Sequence, residues 1–545
     1  IEDFNQLSRH RSFERLERRP HHLRLVPADH DRGNGHGYRF IFRRYTHGLT
    51  PLRIAFLLAC CAASFAQQPQ YRAYWADGFN RGFKSQSEVE QMLDDVAASQ
   101  ANAIFMQARL RGNSFYLNSL EPLAEDRTWA QSFDALQYLI ERAHARGIEV
   151  HAWFTISPLW FATAPPQDPK HVWHAHGPHV EGRDNWMTYS STGRVSNYID
   201  LGHPDAFAHI LRVILHVVEH SDVDGVHLDY IRYPEPVTVS GVSSGDFGYN
   251  ATAVERFNRL TGRSGTPPSR DPAWTDFRRR QVTQFVREVY LRVLEAKPQV
   301  KVSGALIAWG NGPLNDAEYR TRDAFASVYQ DWRSWLEEGI LDLAMPMNYF
   351  AEPRNGPLFD RWIEYQKDRQ FNRMTLLGLG NYLSPIADSN AQLQRALAPS
   401  RAGNRAAGVA FYSYATTNSA NQPHADFYRA VAATFANEYV PPPDLPWKSK
   451  PTRGALLGNL IVEGGPAHLN DSRRILIESD TGADFSRETT TDSTGFFGAI
   501  ELPPDRYRVR LFLGDTELYR TTPQDIAAGQ AIRFDIRLKP EDFPQ

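Results

Sequence analysis

Eight short apolar runs, separated by stretches with helical periodicity, fill the sequence between Tyr71 and Phe411. Runs of this kind predict buried strands, and the intervening stretches predict amphipathic helices. The predicted strands are Tyr71–Trp75, Ala103–Gln107, Glu149–Phe154, Gly225–Asp229, Lys301–Leu306, Leu341–Pro346, Thr375–Gly378 and Gly408–Phe411. Strands and helices that alternate eight times in series predict an α/β fold, a closed (β/α)8 TIM barrel.

The helical segments between the strands favour the same fold. Gly147 and Gly339 stand where left-handed residues end two of these helices. An open doubly wound sheet is the alternative, but such sheets usually carry a glycine-rich phosphate loop after a strand, and none follows these strands. The predicted helices include Ser87–Ser99, Phe133–Arg146, Pro204–His220, Asp271–Ala296 and Ala324–Glu338.

One apolar segment near the N-terminus has the properties of a secretory signal. Residues 49–66 combine an apolar centre with small residues before the cleavage position, which predicts a secreted or periplasmic protein that begins after Ala66. A lipoprotein anchor at Cys60 is the less favoured alternative. Residues 1–48 lack apolar periodicity, so we expect them to be disordered or to lie upstream of the true start. Both cysteines, Cys60 and Cys61, lie in the signal, so the mature chain would have no thiol.

The pattern changes after the last predicted helix. The barrel is expected to occupy residues 67–438, and a proline-rich linker, 439–450, connects it to an all-β segment at 451–545. That segment resembles the carboxypeptidase-regulatory (transthyretin-like) domain at Thr491–Phe497 and Leu502–Tyr507, which implies an accessory β-sandwich. Its predicted strands are Gly454–Val462, Arg474–Ser479, Arg487–Thr491, Phe496–Glu501 and Tyr507–Leu513.

Composition and motifs exclude several classes of function. The formal net charge of -3 gives no electrostatic reason to expect nucleic acid or an anionic membrane as partner. The apolar run of the signal is too short for a transmembrane span and no other run is long enough. No motif indicates a cofactor or a serine-hydrolase elbow. The four histidines of His171–His179 have the composition of a metal site, but no regular element or nearby acid supports one, so we predict a substrate-lining or solvated loop and no metal.

The fourth predicted strand ends in a carboxylate, within the stretch DGVHLDYIRYP at Asp224–Pro234. A barrel strand that ends in Asp presents the carboxylate at the mouth of the barrel, and glycoside hydrolysis requires two carboxyl groups. We therefore predict that Asp229 is a catalytic nucleophile or base, ionised because Arg232 lowers its pKa. The alternative is that Asp229 caps the next turn or pairs with Arg232.

The proton donor is harder to assign from the sequence. Three acids remain as candidates: Asp331, then Glu352 and Glu235. Asp331 ranks first and completes the predicted catalytic pair, although a structural role on its helix is an equal alternative.

Polar and aromatic residues at the strand ends predict a sugar cleft. Trp and Tyr offer stacking faces, whereas Asn, Gln, Arg and His offer hydrogen bonds to hydroxyl groups. Packing inside the barrel is the alternative for each residue taken alone. The predicted substrate-binding residues are Gln107, Arg109, His151, Trp153, His227, Tyr230, Arg232, Trp309, Asn348, Tyr349, Tyr382 and Tyr414.

Several of these segments resemble the bacterial glycosyl hydrolase-like family ten, in order and over roughly Tyr71 to Phe435. The resemblance implies a (β/α)8 barrel in secreted or outer-membrane proteins, and the divisome-localised branch of the family implies cleavage of peptidoglycan glycan strands that have lost their stem peptides. The matching segments are Tyr71–Phe83, Asn102–Arg109, Phe133–Gly147 with His151–Trp153, Asp222–Asp229 and Met345–Tyr349.

The fourth-strand motif departs from that family at one position. The family commonly has two successive acids there; Asp229 matches the first, but Tyr230 stands at the second. A weaker similarity to chitinase-type family eighteen fails at His227 and Ile231, where that family places an Asp and its acidic Glu.

Three hypotheses follow in order of preference. The first is a secreted glycoside hydrolase that acts on a bacterial polysaccharide, with denuded peptidoglycan glycan strands as the candidate substrate. The second is a non-catalytic glycan-binding protein with a degenerate hydrolase barrel, and the third is an envelope scaffold that binds through its β-sandwich. The sequence leaves the sugar, the linkage, the stereochemistry and the oligomeric state open.

Overall fold

The computed structural model describes residues 68–239, 242–482 and 484–543. The predictions for residues 1–48 and for the signal at 49–66, including Cys60 and Cys61, lie outside the described residues. From Gln68 onward the chain forms one compact unit. No helix in the described part is both long and apolar enough to cross a membrane.

Eight parallel strands close into a barrel, which confirms the predicted fold. Around the barrel they follow the order β1-β8-β7-β6-β5-β4-β3-β2, so strands that are neighbours in sequence also pair with each other. Each observed strand overlaps its predicted run, with ends that move by two residues or fewer. The strands are β1 (Tyr71–Ala76), β2 (Ala103–Arg109), β3 (Glu149–Thr155), β4 (Gly225–Asp229), β5 (Lys301–Ile307), β6 (Leu343–Asn348), β7 (Met374–Leu379) and β8 (Gly408–Tyr412).

Helices lie between the strands and around the barrel. Gly147 (φ 70°) and Gly339 (φ 89°) adopt the predicted left-handed conformation after their helices. The helices are α1 (Gln86–Ala98), α2 (Ala135–His144), α3 (Val172–His176), α4 (Pro204–His220), α5 (Ala251–Thr261), α6 (Pro272–Ala296), α7 (Asp316–Tyr319), α8 (Asp323–Ala326), α9 (Trp332–Glu338), α10 (Gly356–Lys367), α11 (Ile386–Leu397), α12 (His424–Thr434) and α13 (Pro446–Ser449).

The prediction of one helix over Ala324–Glu338 is wrong in the middle of that range, where a non-helical segment separates α8 from α9. Tyr329 is left-handed there (φ 59°), which interrupts helical hydrogen bonding. The Gln330 side chain then binds the end of β5: its Oε1 accepts from Ile307 N at 2.7 Å and its Nε2 donates to Ala305 O at 3.2 Å. These tertiary contacts outweigh the local helical pattern.

Side chains of the barrel strands alternate between two environments, as period-2 strands require. In β1, Tyr71 and Trp75 belong to a hydrophobic cluster inside the barrel, whereas Tyr74 packs in the layer between strands and helices. Trp75 reaches across the interior, where its Nε1 donates to His227 Nε2 on β4 at 3.0 Å. This inner layer forms the floor beneath the mouth.

The segment after the barrel forms one mixed sheet and one antiparallel sheet around a second hydrophobic cluster. One sheet has the order β12-β9-β16 with β17 beside β9, and the other has the order β11-β10-β13-β14 with β15 beside β13. The transthyretin-like resemblance and the proposed domain boundaries stay predictions. The strands are β9 (Gly454–Val462), β10 (Arg474–Ser479), β11 (Ser486–Thr490), β12 (Phe496–Leu502), β13 (Asp505–Leu513), β14 (Thr516–Arg520), β15 (Gln524–Ile526), β16 (Ala531–Arg533) and β17 (Ile536–Leu538).

Two further hairpins lie in the long loops that follow β3 and β4. They pair Met187–Tyr189 with Val195–Ile199, and Thr238–Val239 with Val242–Ser243. Both loops leave the carboxyl ends of barrel strands, the side on which barrel enzymes build their active sites.

Candidate active site

Asp229 is the last residue of β4 and the end of that strand's inward-facing series. The residue two before it, His227, faces the barrel interior, so alternation also brings the Asp229 side chain inward, at the mouth. The carboxyl is only 5% exposed. Trp153 Nε1 donates to its Oδ2 at 3.1 Å, and the backbone N–H of Tyr230 donates to its Oδ1 at 2.7 Å. Both oxygens therefore have fixed positions.

The pKa of Asp229 is raised, contrary to the expectation that Arg232 lowers it. Burial raises the pKa of this carboxyl from its ordinary 3.8 to about 6, and Arg232 with the two N–H donors offsets only part of that effect. Desolvation dominates because little water reaches the group. A carboxyl with this pKa carries a proton over part of the physiological pH range, which fits a proton donor better than a permanently ionised nucleophile.

Arg232 instead stacks on aromatic rings. Its guanidinium carbon lies 4.0 Å from the ring centre of Tyr230 and 5.6 Å from that of Trp309. Its Nη1 is buried without a hydrogen-bond partner among the described residues. The structure thus brings Arg232, Tyr230 and Trp309 together beside Asp229, and their role in substrate binding stays a prediction.

Tyr230 adopts a left-handed backbone conformation with φ 53°. Such a φ is unfavourable for an L residue with a side chain, so the surrounding contacts must hold it. It turns the chain immediately after Asp229, and the Tyr230 ring meets the ring of Tyr198 at 5.7 Å.

Half-buried tyrosines from three other strand ends complete an aromatic mouth. Tyr349 and Tyr412 stack with ring centres 5.3 Å apart, and Tyr382 meets Tyr412 at 5.8 Å. Below them, Trp153 approaches Tyr412 at 6.4 Å. Of these residues, Trp153, Tyr349 and Tyr382 were predicted from the sequence.

Gln107 also lies at the mouth, but its amide is occupied. Its Oε1 accepts from Gly78 N at 2.8 Å, and its Nε2 donates to Thr155 Oγ1 at 3.0 Å. Gln107 therefore ties the loop after β1 to the end of β3.

Arg109 does not line the cleft, because its side chain is fully buried in an ion pair. Its Nε and Nη2 donate to Glu121 at 2.7 and 2.9 Å, and both side chains have no exposed area. The pKa of Glu121 falls to about 2 despite burial, since Arg109 and His209 stabilise the carboxylate. A guanidinium at a strand end is equally suited to such a structural pair, and the sequence does not distinguish the two roles.

Two predicted histidines lie in the barrel interior below the mouth. His151 stacks on Phe105 with ring centres 4.3 Å apart and contacts Glu149 at 3.1 Å. His227 accepts from Trp75, and its Nδ1 lies 2.9 Å from Ser303 Oγ. Burial lowers the pKa of His227 below its usual range, so it is a neutral floor residue rather than a substrate ligand.

Two further predictions fail because the side chain contacts the surrounding helices: Asn348 leaves the outer face of β6, and Tyr414 lies two residues past the end of β8. Asn348 exchanges hydrogen bonds of 3.0 Å with Gln366 on α10. Tyr414 donates to Asp95 Oδ2 on α1 at 2.8 Å and stacks on Tyr428. Neither side chain therefore faces the mouth.

The predicted proton donor Asp331 is not brought together with Asp229. It immediately precedes α9, and the neighbours that act on its carboxyl are Ser334, Arg279 and Arg333. Burial raises its pKa, but in the outer helical layer and not at the mouth.

The other two acid candidates differ from each other. Glu352 accepts from Gln392 Nε2 at 3.1 Å and pairs with Arg395. Both partners lie on α11, so the Glu352 carboxylate binds the outer helices. Glu235 is half-buried on the loop after β4, where its charge adds to the burial that raises the pKa of Tyr198.

The sequence interpretation missed Asp77, which follows β1 directly. The predicted strand stopped at Trp75, and the search for a second acid considered the fourth and later strands. The signal was present: Asp77 stands two residues after Trp75, in the inward-facing series. Tyr412 also lies at the mouth but was not among the predicted substrate-binding residues, since Tyr414 was chosen from the same strand end.

The histidines of the loop after β3 bind backbone carbonyl groups. His171 Nε2 lies 2.9 Å from Arg111 O, His174 Nε2 lies 2.9 Å from Pro166 O, and His176 stacks on Trp186 at 3.5 Å. Among the described residues, no three His, Cys, Asp or Glu side chains form a group suited to a metal ion.

Known proteins resemble about half of this chain. Glycosyl hydrolase YngK of Bacillus subtilis (strain 168) is 25% identical over 308 residues, which cover 54% of this chain and 55% of that protein. Glycosyl hydrolase DigH of Escherichia coli (strain K12) is 26% identical over 300 residues, 52% of this chain and 62% of that protein. The chain thus spans little more than half the length of these curated relatives.

Among solved structures, the PgaB (BpsB) glycoside hydrolase domain from Bordetella bronchiseptica aligns with a TM-score of 0.43 and 17% identity, over 67% of this chain and 99% of that one. The model of the glycosyl hydrolase-like 10 family matches residues 70–394. Because this match covers more than half of the 545 residues, the chain belongs to the glycosyl hydrolase-like 10 family.

Proposed function

We propose that this protein is a glycoside hydrolase that cleaves a bacterial polysaccharide at the mouth of its barrel. The observation that carries the proposal is the buried Asp229 carboxyl, held at the end of β4 by Trp153 and by the backbone of Tyr230. Membership of the glycosyl hydrolase-like 10 family supports the same class of reaction.

Asp229 is the proton donor in this proposal. Its pKa of about 6 leaves it protonated below neutral pH, as departure of a glycosidic oxygen requires. When the bond between the anomeric carbon and that oxygen breaks, the proton of Asp229 passes to the leaving oxygen. Activity should therefore decline as the pH rises through about 6.

The mouth offers flat faces for a carbohydrate chain. The half-buried rings of Tyr230, Trp309, Tyr349, Tyr382 and Tyr412 stand close to Asp229. The axial C–H groups of sugars pack against such faces, and the tyrosine hydroxyls supply hydrogen bonds. Denuded peptidoglycan glycan strands are the substrate we propose, with the secretory signal predicted at residues 49–66 as the route to the cell envelope.

The test is release of reducing ends from denuded glycan strands and from a panel of bacterial polysaccharides. We expect hydrolysis by the wild type and a loss of about 10²–10⁴-fold in Asp229→Asn, the usual contribution of general acid catalysis. Equal rates in both proteins would refute the assignment of Asp229. Binding to the glycan without cleavage by the wild type would instead favour a degenerate, glycan-binding barrel.

A further inference from the structure

A second carboxyl group stands at the mouth, at the end of β1. Tyr71, Ala73 and Trp75 face the barrel interior, and Asp77 is the next residue in that inward-facing series. It is 2% exposed, so it is as deeply placed as Asp229.

The layer below shows which residue Asp77 faces. Trp75 and His227 meet across the barrel with Nε1 and Nε2 3.0 Å apart. Asp77 stands two residues after Trp75, and Asp229 stands two residues after His227. Because both strands run in the same direction, strand alternation brings the two carboxyl groups one layer higher, at the ends of β1 and β4, which are three strands apart around the mouth.

Hydrogen bonds fix one oxygen of Asp77 and leave the other without a partner. Oδ1 accepts from Phe79 N at 3.0 Å, from Asn80 N at 3.1 Å and from Asn80 Nδ2 at 2.8 Å. Oδ2 is buried and has no hydrogen-bond partner among the described residues. A buried carboxylate oxygen without a donor is costly, which is typical of a group whose partner is a ligand or a water molecule.

Tyr412 lies near both carboxyl groups. Burial raises the pKa of its hydroxyl, and among the charges that act in the same direction Asp77 is the strongest, with Asp229 also contributing. The Tyr412 hydroxyl therefore lies within the electrostatic reach of both carboxyl groups, in the part of the mouth where a sugar ring would bind.

We propose that Asp77 is the second catalytic carboxyl group, the base that faces the proton donor Asp229 across the scissile bond. This inference rests on the proposed function. Asp77 Oδ2 takes a proton from a water molecule while the water oxygen bonds to the anomeric carbon. Asp229 gives its proton to the glycosidic oxygen as the old carbon–oxygen bond breaks, so one proton is lost and one gained by the protein.

A loop-capping role is the competing explanation, and Asp77→Asn separates the two. Asparagine keeps Oδ1 as an acceptor for the three N–H groups of Phe79 and Asn80, so a capping role survives the substitution. It cannot accept a proton from water, so a catalytic role is lost. Asp134→Asn is the matched control, because Asp134 Oδ1 caps α2 by accepting from Gln137 N at 3.0 Å.

The experiment measures kcat, KM and the melting temperature of the full chain on the polysaccharide that the wild type cleaves. We expect Asp77→Asn to lose about 10²–10⁴-fold in kcat, with KM and melting temperature close to the wild type, and Asp134→Asn to keep its activity. In Asp77→Ala, sodium azide should restore at least part of the rate and yield a glycosyl azide, because azide attacks the anomeric carbon without a base.

The outcomes separate the inference from the proposed function. If Asp77→Asn keeps wild-type kcat while Asp229→Asn is inactive, Asp77 is only a loop cap and the inference is overturned. If Glu235→Gln loses activity and Asp77→Asn does not, the second carboxyl lies on the loop after β4. A wild type without activity on any glycan overturns the proposed function, and the inference falls with it.

Discussion

When Asp229 is replaced by asparagine, the stability of the variant relative to the wild type should increase as the pH rises. In the folded state the pKa of Asp229 rises from 3.8 to about 6. Each pKa unit corresponds to about 1.4 kcal/mol, so an ionised Asp229 destabilises the fold by about 3 kcal/mol. This destabilisation is absent below pH 3.8 and complete once the pH has passed 6. Asparagine does not ionise, so it escapes the penalty.

The variant also introduces a penalty that does not depend on pH. Each oxygen of Asp229 accepts a hydrogen bond from an N–H group, one from Trp153 and one from Tyr230. The NH2 group of asparagine must face one of these donors, which costs about 1–3 kcal/mol. The diagnostic quantity is therefore the change with pH of the difference between the two proteins, and not its absolute value.

Calorimetry at pH 4.5 and pH 8 measures this change. About a third of the ionisation penalty is present at pH 4.5, so the stability difference should grow by about 2 kcal/mol up to pH 8. Gln68–Gln545 forms one compact unit, and an unfolding entropy of about 2.1 cal/mol/K per residue gives it about 1 kcal/mol/K. The melting temperature of Asp229→Asn should therefore gain about 2 °C on the wild type over this range.

A surface substitution of the same kind is the control. Asp515→Asn changes a fully exposed side chain and is measured over the same pH range as the baseline. If the Asp229→Asn difference changes no more than this baseline between pH 4.5 and pH 8, the Asp229 carboxyl does not have a raised pKa. The proton-donor role would then lose its physical basis.

Three further substitutions test the structural assignments. Arg109→Met should lower the free energy of unfolding by about 3–5 kcal/mol in urea titrations, because the Glu121 carboxylate stays buried without the guanidinium that pairs with it. If Arg109 only bound substrate, the substitution would cause no such loss. Glu288→Gln should raise the melting temperature increasingly as the pH rises, since burial and the neighbouring Asp492 raise the pKa of Glu288 and its ionisation destabilises the fold; a gain independent of pH would contradict this. Tyr414→Phe should reduce stability by about 1 kcal/mol, because the hydrogen bond to α1 is lost, while glycan affinity stays unchanged. Weaker glycan binding by this variant in a titration would show that Tyr414 does contact the substrate.

The barrel could be predicted from the sequence because its signals are local and repeated. Each strand is a short apolar run, and helices end at left-handed glycines such as Gly147 and Gly339. Asp229 was located by the same reasoning, since the predicted and observed bounds of β4 agree at Gly225–Asp229. A residue at a well-defined strand end needs only the period-2 rule to be placed at the mouth.

The side on which a residue leaves its strand could not be predicted where the strand end was misjudged. A shift of one residue exchanges the inner and outer faces of a strand. Asn348 therefore faces α10 while its neighbour Tyr349 faces the mouth. Tyr414 is a different case: it lies two residues beyond the end of β8, where strand alternation no longer applies, and its hydroxyl reaches α1 while Tyr412 stays at the mouth. Asp77 was missed because it follows β1 instead of ending it, and the search for a second acid considered only the fourth and later strands.

Buried charge pairs were the second limit. The partner of Arg109 is Glu121, on the loop that follows β2, and the pair has no exposed area. Local sequence does not reveal that an arginine at a strand end will find a carboxylate in the interior rather than a ligand. The raised pKa of Asp229 could not be predicted for the same reason. Burial depends on all the segments that pack around the carboxyl and not on the neighbouring Arg232 alone.

Tyr230 stands where the resemblance to family ten places a second acid. Its geometry explains how an acid from a different strand end can take that role. In an extended strand the residue after Asp229 would point away from the mouth. The left-handed φ of 53° turns the chain, so that the Tyr230 ring returns toward Tyr198 and Arg232. An acid at this position would place both carboxyl groups on one strand end. In our proposal Asp77 supplies the second carboxyl from the end of β1, three strands away around the barrel, which leaves the space between the two groups for the sugar.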